Sequence, residues 1–203
     1  MKLLLGLFCF SGTLSSDAAI VYRDEIDLTL FSLLQQDIGF DIDDNGVDDL
    51  TFRVRGGDFN IIGTATSRII ATPAIFPDIG ADVTPLNGEI ELENNVGNDL
   101  FWYAPSLLNG SANFLSCRDI GCLGEWRETT AFLGVEFSIE ENTHYGWLEI
   151  EAPFGSIPGG YLRRLAYEDE ANKSILTGSI PEPNLTMMAI LGMATGLFKR
   201  RRI

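Results

Sequence analysis

The chain has 203 residues, 45% of them hydrophobic and 21% charged, with 21 glycines; that is enough apolar material for a buried core and excludes disorder along the whole length. With 21 glycines, 13 phenylalanines and only 14 lysines and arginines the chain is no coiled coil, and the net charge of −15 set by 29 acids excludes a surface that tracks nucleic-acid phosphates. Lys2 and the run Lys199, Arg200, Arg201, Arg202 lie at the two extremes, so the segment from Ala19 to Pro183 holds 28 acids against 9 bases, a net charge of −19. A body this acidic is self-repelling and soluble, and it attracts cations.

Residues 1–18 begin with Lys2, continue through the apolar run Leu3–Phe10 and turn small and polar at Ser11, Gly12, Thr13, Ser15 and Ser16. That order of regions reads as a secretory signal peptide. Ser16 and Ala18 are small residues at the two positions a signal peptidase reads, which places cleavage after Ala18, with cleavage after Ala19 as the near alternative. Phe8 before Cys9 is too large for a lipoprotein signal.

From Ile20 to Ile180 short apolar alternations are separated by Gly, Pro, Asn and Asp, the pattern of an all-β protein. Residues 19–180 are expected to form a single antiparallel β-sandwich or jelly-roll-like domain. The first strong local motif is Asp41-Ile42-Asp43-Asp44-Asn45-Gly46-Val47-Asp48-Asp49, with Ile38, Phe40 and Ile42 before it and Leu50, Phe52 and Val54 after it as strands. Oxygen ligands on Asp41, Asp43, Asn45 and Asp49, with Gly46 permitting a sharp turn, suit a hard cation, and calcium is the natural choice. The loop is not a full EF-hand, because Phe52 stands where a closing Glu is required. It is similar instead to the Asp-x-Asp-x-Asp-Gly-x-x-Asp loops of extracellular calcium modules; the alternative is an acidic hairpin whose Asn45-Gly46 makes a type I′ turn.

Further along, Phe101-Trp102-Tyr103 could stack on sugars or pack in a half-buried sheet. Cys117 and Cys122 are the two cysteines left once the leader is removed, and an even count in an exported chain reads as a disulfide around a small loop, with free thiols and a metal pair as the alternatives. Leu133, Val135, Phe137 and Ile139 alternate with Gly134, Glu136 and Ser138, which predicts a strand with one buried and one wet face. Glu140-Glu141-Asn142-Thr143 then makes a polar turn into a second strand through Tyr145, Trp147, Leu148 and Ile150, on which Glu149 and Glu151 read as an exposed face. A third strand spans Tyr161–Tyr167. His144 is the one histidine, which excludes His-based zinc clusters, and no Gly-x-Ser-x-Gly, phosphate loop or dinucleotide fingerprint occurs.

The chain closes with Pro181-Glu182-Pro183, the apolar run Leu185–Phe198 and the four bases Lys199, Arg200, Arg201 and Arg202. As a helix the run reaches about 21 Å against a hydrocarbon core of about 30 Å, a short span that snorkelling bases can help to seat. The basic cluster after it places the C-terminus on the cytoplasmic side and the acidic body outside. A Pro-Glu-Pro tripeptide, a short hydrophobic segment and an Arg-rich tail behind an N-terminal signal resemble the PEP-CTERM class of bacterial exported proteins. The stretch Phe132–Phe137, His144–Ile150, Leu165–Glu168 and Ile175–Gly178 is also similar, less specifically, to the run before the tag in many members.

The resemblance implies that residues 181–203 are a sorting signal, processed by an exosortase-like enzyme after transient membrane anchoring, with export to the cell surface or the exopolysaccharide matrix. A simple C-terminal anchor is the alternative. These readings together predict an exported envelope or matrix protein with a structural or binding role, no catalysis and no nucleic-acid partner. The competing reading is a secreted carbohydrate-binding module or glycan-active enzyme with Trp102 and Trp126 lining a sugar groove, and an exposed aromatic strip facing two carboxylates would favour it.

Overall fold

A computed structural model describes residues 19–26, 28–30, 36–55, 57–73, 80–97, 99–106, 110–118, 121–152 and 159–181. The expected leader at 1–18 and the sorting segment beyond Pro181 lie outside the described residues. Among the described residues the chain is all-β, and no helix is long and apolar enough to cross a membrane.

The strands, in chain order, are β1 (Ile20–Arg23), β2 (Leu28–Thr29), β3 (Gln36–Phe40), β4 (Leu50–Arg55), β5 (Asp58–Gly63), β6 (Arg68–Pro73), β7 (Ala81–Val83) and β8 (Glu91–Leu92). They continue with β9 (Phe101–Tyr103), β10 (Ala112–Arg118), β11 (Gly121–Leu123), β12 (Thr130–Ile139), β13 (Asn142–Glu151), β14 (Tyr161–Glu168) and β15 (Ile175–Leu176). The path of hydrogen-bonded neighbours runs β1-β14-β13-β12-β6-β7-β10-β5-β4-β3, while β8 and β15 form a separate two-stranded ribbon. The pairs are antiparallel except β7 with β10, so the sheet is mixed.

The path folds back at β6. Ile69 lies opposite both Val135 of β12 and Tyr103 of β9, and Ala71 lies opposite both Val83 of β7 and Phe101 of β9. A strand has only two sides, so β9 occupies one side of β6 while β12 and β7 share the other. From there the β12-β13-β14-β1 arm and the β7-β10-β5-β4-β3 arm curl toward each other. This curled mixed sheet is consistent with the expected sandwich.

One apolar cluster fills the space between the arms. Phe52, Val54, Phe59, Ile61 and Phe114 come from one arm and Leu133, Val135, Phe137, Leu148, Ile150 and Leu165 from the other. Phe59 stacks on Phe114 at 4.6 Å between ring centroids, and Phe114 meets the buried Trp126 edge-on at 5.1 Å. The inward positions of β12 are those the alternation predicts.

The expected wet face of β12 is not wet. Gly134 and Glu136 are buried, and a second cluster of Ile70, Leu86, Leu92, Tyr145, Trp147, Ala166 and Ile175 lies on that side. Leu86, whose backbone pairs with Phe132 at the edge of β12, and Leu92 and Ile175 of the β8–β15 ribbon supply apolar side chains to it, and Arg68 neutralises Glu136 through a two-point contact, Nε to Oε1 at 2.6 Å. Glu149 is likewise buried and held by Arg164, Nε to Oε2 at 2.6 Å, rather than lying on an exposed face. Burial of these two carboxylates is tolerated because each has its own guanidinium.

Candidate metal centre

The β3–β4 ladder ends where Phe40 faces Leu50, which leaves Asp41–Asp49 as the connecting loop. Its positive-φ residues are Asp44 (62°) and Gly46 (89°), and Asn45 is not one of them. A two-residue type I′ turn needs positive φ at both central positions, so Asn45-Gly46 does not make one. The loop is instead organised by its own carboxylates, which accept from backbone amides.

Gly46 N donates to Asp41 Oδ2 at 2.6 Å, and Asn45 N donates to Asp41 Oδ1 and Asp43 Oδ1 at 3.2 Å each. Ile42 N donates to Asp49 Oδ2 at 2.8 Å, while the Asp49 backbone bonds to Phe40 O at 2.9 Å and receives Ser67 Oγ at 2.7 Å. Asp49 is therefore the anchored, buried member of the set. The other acids are spent elsewhere: Asp44 pairs with Arg23 at 2.9 Å, and Asp48 lies across Gly39, whose added Cβ would come within 1.8 Å of Asp48 Oδ2.

What converges is Asp41, Asp43 and Asp49, each with one carboxylate oxygen within 4.8 Å of the others. Two oxygens on one calcium at about 2.3–2.6 Å are at most about 5 Å apart, so this spacing fits a shared ion. Asn45 sits beside them with Nδ2 donating to Asp43 Oδ2 at 3.0 Å and Oδ1 accepting from Val47 N at 2.8 Å. To serve as a ligand it would have to turn its amide oxygen inward. All-oxygen donors without sulfur or imidazole suit a hard cation over zinc or copper.

The electrostatics divide the three carboxylates. Burial pushes Asp49 up to about 6, with repulsion from Asp43, Asp41 and Asp48 adding to it and the Ile42 amide opposing it. Burial also works upward on Asp41, but hydrogen bonds from the Gly46 amide, from Asp43 and from the Asn45 and Asp44 amides outweigh it and leave Asp41 below its ordinary value. Without a cation, Asp49 therefore takes up a proton at higher pH than Asp41 does.

Arg23 is the neighbour of this loop that sequence reasoning missed. From β1 it donates through Nη2 to Asp41 O at 3.1 Å and to Ile42 O, and it lies over the Phe40 ring at 5.9 Å. Its acceptors are main-chain carbonyls, which carry no signature in the sequence. The β10–β11 register sets Cys117 opposite Cys122, the backbone arrangement a cross-strand pair requires.

The aromatic candidates do not share one surface. Trp126 is buried with Nε1 donating to Val83 O at 2.9 Å, whereas Trp102 donates to Glu93 O at 2.8 Å and packs on Tyr145 at 5.7 Å. His144 is buried beside Phe137, with Nδ1 2.9 Å from Glu168 O. The chain matches no protein-family model, no curated protein and no solved structure.

Proposed function

We propose that this chain is an exported bacterial protein of the PEP-CTERM class, sorted to the cell surface or matrix, with a structural or binding role and no catalysis. Its body is a β-sandwich or jelly-roll-like domain that calcium stabilises at Asp41, Asp43, Asn45 and Asp49. The observation that carries this reading is the order of sequence elements: a removable leader, an acidic body, and Pro181-Glu182-Pro183 followed by an apolar run and Lys199 to Arg202. Signal peptidase and an exosortase-like enzyme are the implied processing partners, and exopolysaccharide the implied surrounding. A Cys117–Cys122 disulfide fits the oxidising destination.

The glycan reading draws less support, because Trp126 and Trp147 are buried and Trp102 is engaged with Glu93 and Tyr145. The calcium part is supported by the oxygen spacing and by a body of 28 acids against 9 bases. Mass determination of the exported product tests the whole reading at once. The expected product starts at Ala19, ends near the Pro-Glu-Pro motif and lacks two hydrogens for the disulfide. An intact chain recovered from the cytoplasm refutes it.

A further inference from the structure

The start of β1 is tied to the far end of β14 in two ways. Ile20 faces Glu168 in the ladder, and the ladder extends one step further, Asp169 N donating to Ala19 O at 3.2 Å. Ala19 N then donates to the Asp169 carboxylate, Oδ1, at 2.7 Å. Ala19 is the residue that cleavage after Ala18 turns into a new N-terminus. Cleavage adds water across the Ala18–Ala19 peptide, leaving Ala18 as a carboxylate and the Ala19 nitrogen as an ammonium.

The charge at this corner is out of balance in the uncut chain. Glu168, Asp169 and Glu170 are consecutive acids, and Lys173 is shared between Glu168 at 3.5 Å and Glu170 at 3.6 Å. Glu168 is buried, and its Oε1 has no hydrogen-bond partner. Removing residues 1–18 supplies a cation at the nitrogen already facing Asp169.

We infer that Asp169 is the receiving site for the processed N-terminus, so that cleavage after Ala18 converts an amide hydrogen bond into an ion pair and locks β1 against β14. This rests on the export reading of residues 1–18. It also separates the two cleavage positions. A cut after Ala19 would discard both the nitrogen that meets Asp169 Oδ1 and the carbonyl that meets Asp169 N.

The test is a cycle on the full chain in mild detergent, melted before and after treatment with signal peptidase, with Asp169 and with Asp169→Asn. Asparagine keeps the shape and an acceptor oxygen and removes only the charge. Cleavage is expected to raise Tm by about 2 °C in the parent and to leave the Asp169→Asn chain unmoved, since an exposed ion pair contributes modestly. The parent's gain should shrink in molar salt, and Asp169→Glu should recover part of it. Equal shifts with and without Asp169, in a product that begins at Ala19, overturn the inference alone. An exported product that retains residues 1–18 overturns the export reading instead.

Discussion

Burial holds Asp49 at about 6, well above an ordinary aspartate near 3.8, so the folded ion-free protein binds that proton more tightly than the unfolded chain does. Stability from this source is complete below about pH 4 and is lost as pH rises through about 6. Ion-free protein should therefore melt at progressively lower temperature from pH 5 to pH 7.5. Asp49→Asn keeps an acceptor for the Ile42 amide and removes the charge, and its melting temperature should be flatter across that range. Millimolar calcium should restore the parent at pH 7.5 and do little for the variant. Parallel pH curves for the two proteins would remove Asp49 as the source, and a parent unmoved by calcium would remove the ion.

The β12–β13 hairpin shows how far one element can be read from sequence and where such reading stops. Its ten-residue strands pair from Thr130 with Glu151 to Ile139 with Asn142, so the turn is only Glu140-Glu141, tighter than the four-residue polar turn expected. Both glutamates have positive φ, 49° and 68°, the type I′ geometry that Asn-Gly fits without strain. Replacing the pair by Asn-Gly should stabilise the protein by about 1–2 kcal/mol, read as a higher urea midpoint with an unchanged denaturant slope. A midpoint that falls or stays put would show that the glutamates are not strained there. The strands themselves were legible because apolar alternation over eight to ten residues is a local signal, as for β14. The two-residue strands β8 and β15 were not, because their pairing is made by tertiary contact and not by any periodicity of their own. For the same reason the second face of β12 was misjudged: Glu136 reads as a solvent position until Arg68, 68 residues away, is brought beside it. The acidic loop was legible because its donors are spaced within nine residues, whereas Arg23 was hidden by partners that are carbonyls 18 and 19 residues away.

At the scale of the whole molecule, the two arms that leave β6 end in β1 and β3, and Arg23 bonds across the seam between these ends. The guanidinium bonds two carbonyls, pairs with Asp44 and covers Phe40, four contacts that a single ammonium could not reproduce. Arg23→Ala should cost about 2 kcal/mol through the lost hydrogen bonds and ring contact, and Arg23→Lys should recover less than half of it. The informative readout is hydrogen exchange, because an opened seam exposes β1 and the Asp41–Asp49 loop together. Calcium provides the control: its proposed ligands Asp41, Asp43, Asn45 and Asp49 all belong to the β3–β4 connection and none to β1. In Arg23→Ala, calcium should therefore return protection to the loop and leave β1 unprotected. Recovery of both would mean that the ion, and not the arginine, closes the sheet; loss at neither would mean that the arms hold together through the apolar core alone.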